Sequence, residues 1–131
     1  MKPLFQAIYT FANAASDFRT AVGGRFYLSE APQSATYPFA VYSLVSLMPD
    51  YFFGNNLVDA TVQISIFSED TGADEVTTAW GHLCNRFDDA AISVTGYGTV
   101  EFRRSLANLI REPETNIWHY ATDYELILSK N

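Results

Sequence analysis

Residues 57–88 read LVDATVQISIFSEDTGADEVTTAWGHLCNRFD, and two periods meet inside this stretch. From Val58 to Ile66 apolar and polar residues alternate. Val58, Ala60, Val62, Ile64 and Ile66 face one way; Asp59, Thr61, Gln63 and Ser65 face the other. A period of two is that of a half-buried strand. Past Ser68 the period lengthens: Val76, Trp80 (or Ala79), Leu83 and Phe87 follow an i, i+4, i+7, i+11 stripe. This predicts a helix over about 72–88, with Thr71 as N-cap and Asp74 and Glu75 facing the helix dipole. A strand and a helix, each with one apolar side, predict a sheet covered by helices.

Upstream, Pro3 sits in a first helical turn, and Leu4, Ile8, Phe11 and Ala15 recur at helical spacing. An amphipathic helix over about 3–16 follows. Gly23-Gly24 ends it and turns the chain. RFYL (25–28) reads as a short strand, and SEAPQSATYP (29–38) as a loop stiffened by Pro32 and Pro38. FAVYSLVSL (39–47) alternates Phe39, Val41, Ser43, Val45 and Leu47 against Ala40, Tyr42, Leu44 and Ser46. LMPDYFFGNN (47–56) is a hairpin tip. Downstream, AISVTGYG (91–98) is a short extended piece and TVEFRRSLANLIRE (99–112) alternates, with a bulge in SLANLI. PETN (113–116) is a turn. IWHYATDYELILSK (117–130) is a last strand with Trp118, Tyr120, Thr122, Tyr124, Leu126 and Leu128 on one side. The expected fold is α+β, in the order α-β-β-β-α-β-β. A mostly antiparallel sheet of about five strands carries two helices on one face. Tyr42 and Phe67 are placed on the other face. Residues 1–131 read as a single domain, without repeat or linker.

Composition narrows the function. Apolar residues make up 48% and aromatics 15%, enough for a core, whereas charged residues reach only 18%. Few charges and many aromatics fit a subunit that buries surface against partners. The net charge of −7 leaves no basic stripe for phosphates. Acidity does suit a pore through which DNA passes without sticking. No apolar run approaches the roughly 20 residues of a membrane span, and no signal-peptide h-region is present. The expectation is a protein made in the cytoplasm with no membrane partner.

No catalytic set emerges. His82 and His119 stand alone, and Cys84, the sole cysteine, reads as a small buried hydrophobe. A zinc site needs three or four clustered ligands, which this spacing does not offer. VGG and GYG are too short for a nucleotide loop. Asp88-Asp89 reads as a solvated helix end, Asp50 and Glu101 have no partner, and Ser43, Ser46 and Ser65 lack a nucleophile elbow. No catalytic residue, cofactor or metal is expected. The candidate contact residues are instead Met48, Tyr51, Phe52 and Phe53 on the hairpin tip, and Arg103, Arg111, Glu112 and Glu114 in a mixed-sign rim around the second hairpin.

VGGRFY (22–27), APQ (31–33) and PFAVYS (38–43) running to Ser46 resemble the small phage tail-completion (tail-terminator) family. Its members resemble a helix, a "vGgRiy" strand, a proline loop and "PyvvyqrvS". The strand–helix unit VQISIFSEDTGADEVTTAWGHLCNRFD (62–88) is similar to the family's "vqvdvwa" strand and helix. Pro113-Glu114-Thr115 fill its "PET" turn before an aromatic-rich last strand. The likeness covers about residues 4–128. LMPDYFFGNN departs from it, being more apolar than the polar loop expected there. The resemblance implies a virion protein that forms a ring, commonly a hexamer. That ring caps the finished tail tube, contacts the tube protein and docks onto the head–tail connector. Such a protein sits at the head-proximal end of the tail after assembly in the host cytoplasm. A ring needs two complementary patches per subunit. Two other readings stand beside it: a small-ligand-binding or enzymatic α+β domain with an apolar pocket, and another neck or connector protein of the same junction.

Overall fold

The computed structural model describes residues 2–49 and 57–130. The elements are α1 (Lys2–Asn13), α2 (Asp17–Ala21), β1 (Phe26–Leu28), β2 (Phe39–Pro49), β3 (Leu57–Ser68), α3 (Asp74–Phe87), β4 (Ala91–Val94), β5 (Gly98–Glu101), β6 (Arg103–Glu112) and β7 (Ile117–Ser129). Five strands form one sheet in the order β1-β2-β3-β7-β6, and β4 and β5 form a separate pair. The α+β class and the five-stranded sheet agree with the sequence reading; the element order and helix number do not.

The sheet is built on β3. Its partners in β7 are Leu126 for Ala60, Tyr124 for Val62 and Thr122 for Ile64, so the apolar rows of both strands share one face. All six of these side chains are buried. Helices cover that face: α1 buries Leu4, Ile8 and Ala12, and α3 buries Val76, Ala79, Leu83 and Phe87. Arg86 ties the helices together. Its Nε and Nη2 donate to the Phe11 carbonyl at 3.2 and 2.8 Å, an acceptor left free near the C-terminus of α1. An aromatic cluster fills the centre. Phe87 lies 5.2 Å from Phe11, 6.0 Å from Phe18, 5.3 Å from Phe102 and 6.0 Å from Tyr124, between ring centroids.

Several expectations are corrected. The first helix stops at Asn13 and Ala15 is exposed. A third helix, α2, follows: Ser16 caps it by accepting from the Arg19 amide at 3.2 Å, and it buries Phe18. Five residues are too short to show a period, so this helix is invisible to pattern reading. Gly24, at φ 73°, closes it by donating its amide to the Arg19 carbonyl at 2.9 Å. Thr71 does not cap α3; the N-cap is Ala73, with no side-chain bond. Ser68 organises that corner instead, donating to Glu75 Oε1 at 2.7 Å and accepting from the Asp70 amide at 3.3 Å. Tyr42 lies on the covered face, stacked on Phe26 at 4.5 Å, with its hydroxyl donating to the Phe5 carbonyl at 3.3 Å.

The sheet is mostly antiparallel, as expected, with β1 running parallel to β2 as the exception. A parallel neighbour needs a crossover rather than a tight turn. The prolyl loop at 29–38 is that crossover, and this is why so short a strand is followed by so long a connection. The run 99–112 is divided as well. Residues up to Glu101 pair with β4, and Phe102, fully buried, anchors the point where the chain passes to β6. The bulge expected in SLANLI is present, at the register shift between Arg104 and Leu106. A second bulge lies between Leu44 and Ser46.

Candidate functional site

The helices cover one face of the sheet. The opposite face carries Val41, Ser43, Gln63, Ser65, Phe67, His119, Ala121 and Asp123, as the registers of β2, β3 and β7 require. Phe39, Phe67 and His119 occupy one row across the three strands. Their rings stack at 5.1 and 4.4 Å, and Tyr37 extends the ladder to Phe39 at 4.9 Å. Aromatic pairs across strands hold a sheet row rigid. The crossover loop passes beside this ladder and encloses a groove of about 450 Å³ with it, lined by Glu30, Pro32, Tyr37, Ser43, Gln63 and His119 among others. His119 Nε2 is buried with no hydrogen-bond partner. Burial lowers the His119 pKa below the ordinary imidazole value, against a weaker upward pull from Glu112, so the ring is neutral near pH 7.

Beyond the groove the bare face is acidic and partly apolar. Asp59, Asp123, Glu125 and Glu112 fall on it by register, against Arg103. Met48 and Ile127 flank Asp59 in one row, and each is 63% exposed. The edge strand β6 has Leu106 (53%), Leu109 (42%) and Ile110 (47%) open to solvent. An exposed ten-residue edge strand is a template for pairing with another chain.

The sequence-predicted contact residues do not form one patch. Tyr51, Phe52 and Phe53 lie outside the described residues. Met48 lies at the hairpin end of the sheet, opposite Asp59. Arg103 is near that same end, across from Glu125, and forms a solvent-exposed pair with Glu101 at 3.4 Å. Arg111, Glu112 and Glu114 gather at the other end, around the turn after β6. There Arg111 donates to Asn116 Oδ1 at 3.4 Å and lies 5.4 Å over the Trp118 ring. Glu112 Oε2 accepts from the Thr115 hydroxyl at 3.1 Å. The pattern reading missed the aromatic ladder, because the alternation that turned Phe67 outward could not say which residues stood beside it.

The titratable groups are structural in arrangement. Tyr124 donates to Asp88 Oδ1 at 2.7 Å, Arg104 sits 3.5 Å from Asp88 Oδ2, and Arg104 Nη1 lies 3.1 Å from Cys84 Sγ. Burial pushes the Tyr124 phenol upward, helped by its bond to the Asp88 carboxylate. Burial, then Asp88, pushes the Cys84 thiol upward, so it is held protonated rather than activated as a nucleophile. Among the described residues no group of three or more His, Cys, Asp or Glu is placed to hold a metal ion. Among them, too, no helix is long and apolar enough to cross a membrane.

Among the described residues, the sheet thus has an open acidic face, an aromatic groove and an exposed edge strand, and no catalytic set. The chain belongs to the family described as tail completion protein gp17, whose model matches residues 6–129. It is therefore a structural protein of virion assembly, of the tail-completion or terminator type that joins tail to head, and it is not an enzyme. Its fold is similar to that of a chain from the virion of the native gene transfer agent (GTA) particle, with a TM-score of 0.75. The two share 15% sequence identity over 95% of this chain and 92% of the other. No curated protein shows a significant match.

Proposed function

We propose that copies of this chain close into a ring, commonly of six, that caps the finished tail tube and presents the surface on which the head–tail connector docks. The observation that carries this reading is the edge strand β6, with its apolar centre exposed, beside an uncovered sheet face: a monomer gains nothing from leaving Leu106, Leu109 and Ile110 in water. A ring is a heterologous interface that closes, so it consumes two different patches per copy and leaves none free. The tube protein, the connector and other copies are the partners, and no cofactor or membrane takes part. The net charge of −7, with Asp59, Asp123, Glu125 and Glu112 on the bare face, suits a bore through which genome DNA slides without adhering. The place of action is the head-proximal end of the tail, reached from the host cytoplasm during assembly.

The test is mass in solution by light scattering across concentrations, followed by electron microscopy of tail tubes with the protein added. A species of about 88 kDa, six times the 14.7 kDa chain, and rings on tube ends are the expected results. Tubes that keep growing at saturating protein would overturn the capping role.

A further inference from the structure

The sheet has two free edges among the described residues, β1 and β6. β1 is parallel to β2, and each later step, to β3, β7 and β6, reverses direction. The edges therefore run oppositely. Rotation about an axis lying along the strands brings β6 of one copy beside β1 of the next without inverting either. Under ring symmetry they meet antiparallel, the geometry that short strands pair in most readily.

We propose that this ring, if the reading above holds, is closed by β6 of each copy adding to β1 of the next, in the register that sets Leu109 opposite Leu28. Three observations fix that register. Leu28 lies beside Tyr42 and Leu109 beside Tyr120, so both point to the helix-covered side, and each is 42% exposed. A hollow of about 680 Å³ opens on that side next to β1, lined by Lys2, Phe5, Tyr9, Leu28 and Tyr42, and a neighbour's Leu109 enters it. One residue on, Tyr27 meets Ile110 on the bare side, apolar against apolar. The same register brings Arg25 opposite Glu112. The Arg25 side chain donates to the Pro38 carbonyl at 3.0 Å, and among the described residues neither Arg25 nor Glu112 has an ion-pair partner. A slip of one residue would put Leu28 and Leu109 on opposite faces and break every one of these matches.

Paired cysteines test this. In a Cys84→Ser chain, Leu28→Cys and Leu109→Cys together place two sulfurs across one interface, and directly opposed cross-strand positions lie within disulfide reach. Under oxidation the double variant is expected to form a covalent ladder that stops at one closed size and collapses with reductant. Either single variant can form dimers at most, and Leu28→Cys with Leu106→Cys, on opposite faces, is expected to form no ladder. Leu109→Glu is expected to weaken self-association at least tenfold while the circular dichroism of the monomer is unchanged. Capping of tubes by the unmodified protein without a ladder would overturn this contact and leave the ring reading standing. A ladder without capping would sustain the contact and remove the capping role; absence of both would remove both.

Discussion

Phe87→Ala is the sharpest test of how this fold is held together. Phe87 is fully buried at the last turn of α3 and meets four other rings, Phe11, Phe18, Phe102 and Tyr124, all within 6.0 Å. Those rings come from α1, α2, the β5–β6 junction and β7, so one side chain joins four otherwise separate pieces. Truncating a buried Phe costs about 3–5 kcal/mol, and the value rises with the cavity that the surroundings fail to fill. Here the neighbours are stiff rings on different elements, which do not collapse inward together. The expectation is at least the middle of that range, about 4 kcal/mol. Since domains are stable by about 5–15 kcal/mol in all, the variant stands near the limit of folding. Urea unfolding followed by tryptophan fluorescence measures it. With a slope of about 1–3 kcal/mol/M, the midpoint falls by about 1.3–4 M. Phe18→Ala and the double variant complete a cycle, and the directly touching pair is expected to couple by about 0.5–1.5 kcal/mol. A loss below about 2 kcal/mol for Phe87→Ala would refute the reasoning, because it would mean that these rings do not carry the junction.

Ser16→Ala removes the side-chain cap of α2 and is expected to cost about 1 kcal/mol, read in the same urea assay. The raised Tyr124 pKa stabilises the fold below the ordinary phenol value of about 10, and that contribution is lost as pH rises above it. Stability measured from pH 8 to 11 is therefore expected to drop at the top of the range, and Tyr124→Phe to flatten the drop. The lowered His119 pKa has the opposite direction: its contribution is present above the unfolded value of about 6.5 and is lost as pH falls through the lower folded value. An NMR titration should give a His119 midpoint below the ordinary imidazole value of about 6.5, and His119→Gln should reduce the stability loss between pH 6 and 4. Ser43→Trp, which fills the groove beside the aromatic ladder, is expected to leave the unfolding free energy within about 0.5 kcal/mol of the parent and to weaken binding to tail tubes in a pelleting assay.

The alternation in 57–68 and 117–130 is strong because each strand has one covered and one bare face, and the pattern reports that difference directly. The helix stripes at Leu4 and Ile8 and at Val76, Leu83 and Phe87 are legible for the same reason. What pattern cannot report is pairing. Nothing local says that β1 lies parallel to β2, since that depends on where the chain returns after residues 29–38. Nor does the sequence separate β5 from β6: Val100 and Phe102 both face the core, so the alternation runs unbroken through a change of sheet. The sequence reading puts Tyr42 on the wrong face because a tyrosine is at home on either one, and its hydroxyl finds a backbone acceptor inside. Arg103 and Arg111 look like one charged rim in sequence, yet they face Glu125 and Trp118, seven residues apart on β7, which puts them about 23 Å apart at 3.3 Å per residue.

The charge pattern along β6 bears on why such an edge persists. Proteins that must stay apart blunt their edge strands with central lysines, prolines or a very short length. Here the bulge and the arginines at 103 and 104 guard the start of the strand, and Arg111 and Glu112 guard its end. Residues 106–110, Leu-Ala-Asn-Leu-Ile, carry no charge and no proline. Terminal charges disfavour a partner strand that is out of register or that overruns the ends, whereas the open centre accepts one that fits between them. The opposite edge, β1, has three residues, too few to recruit a random strand but enough to seat one whose Leu109 also fills the hollow beside it. A long edge guarded at its ends and a short edge with a side-chain socket together favour one pairing over indiscriminate stacking. That selectivity is what a closed ring requires and an open aggregate does not.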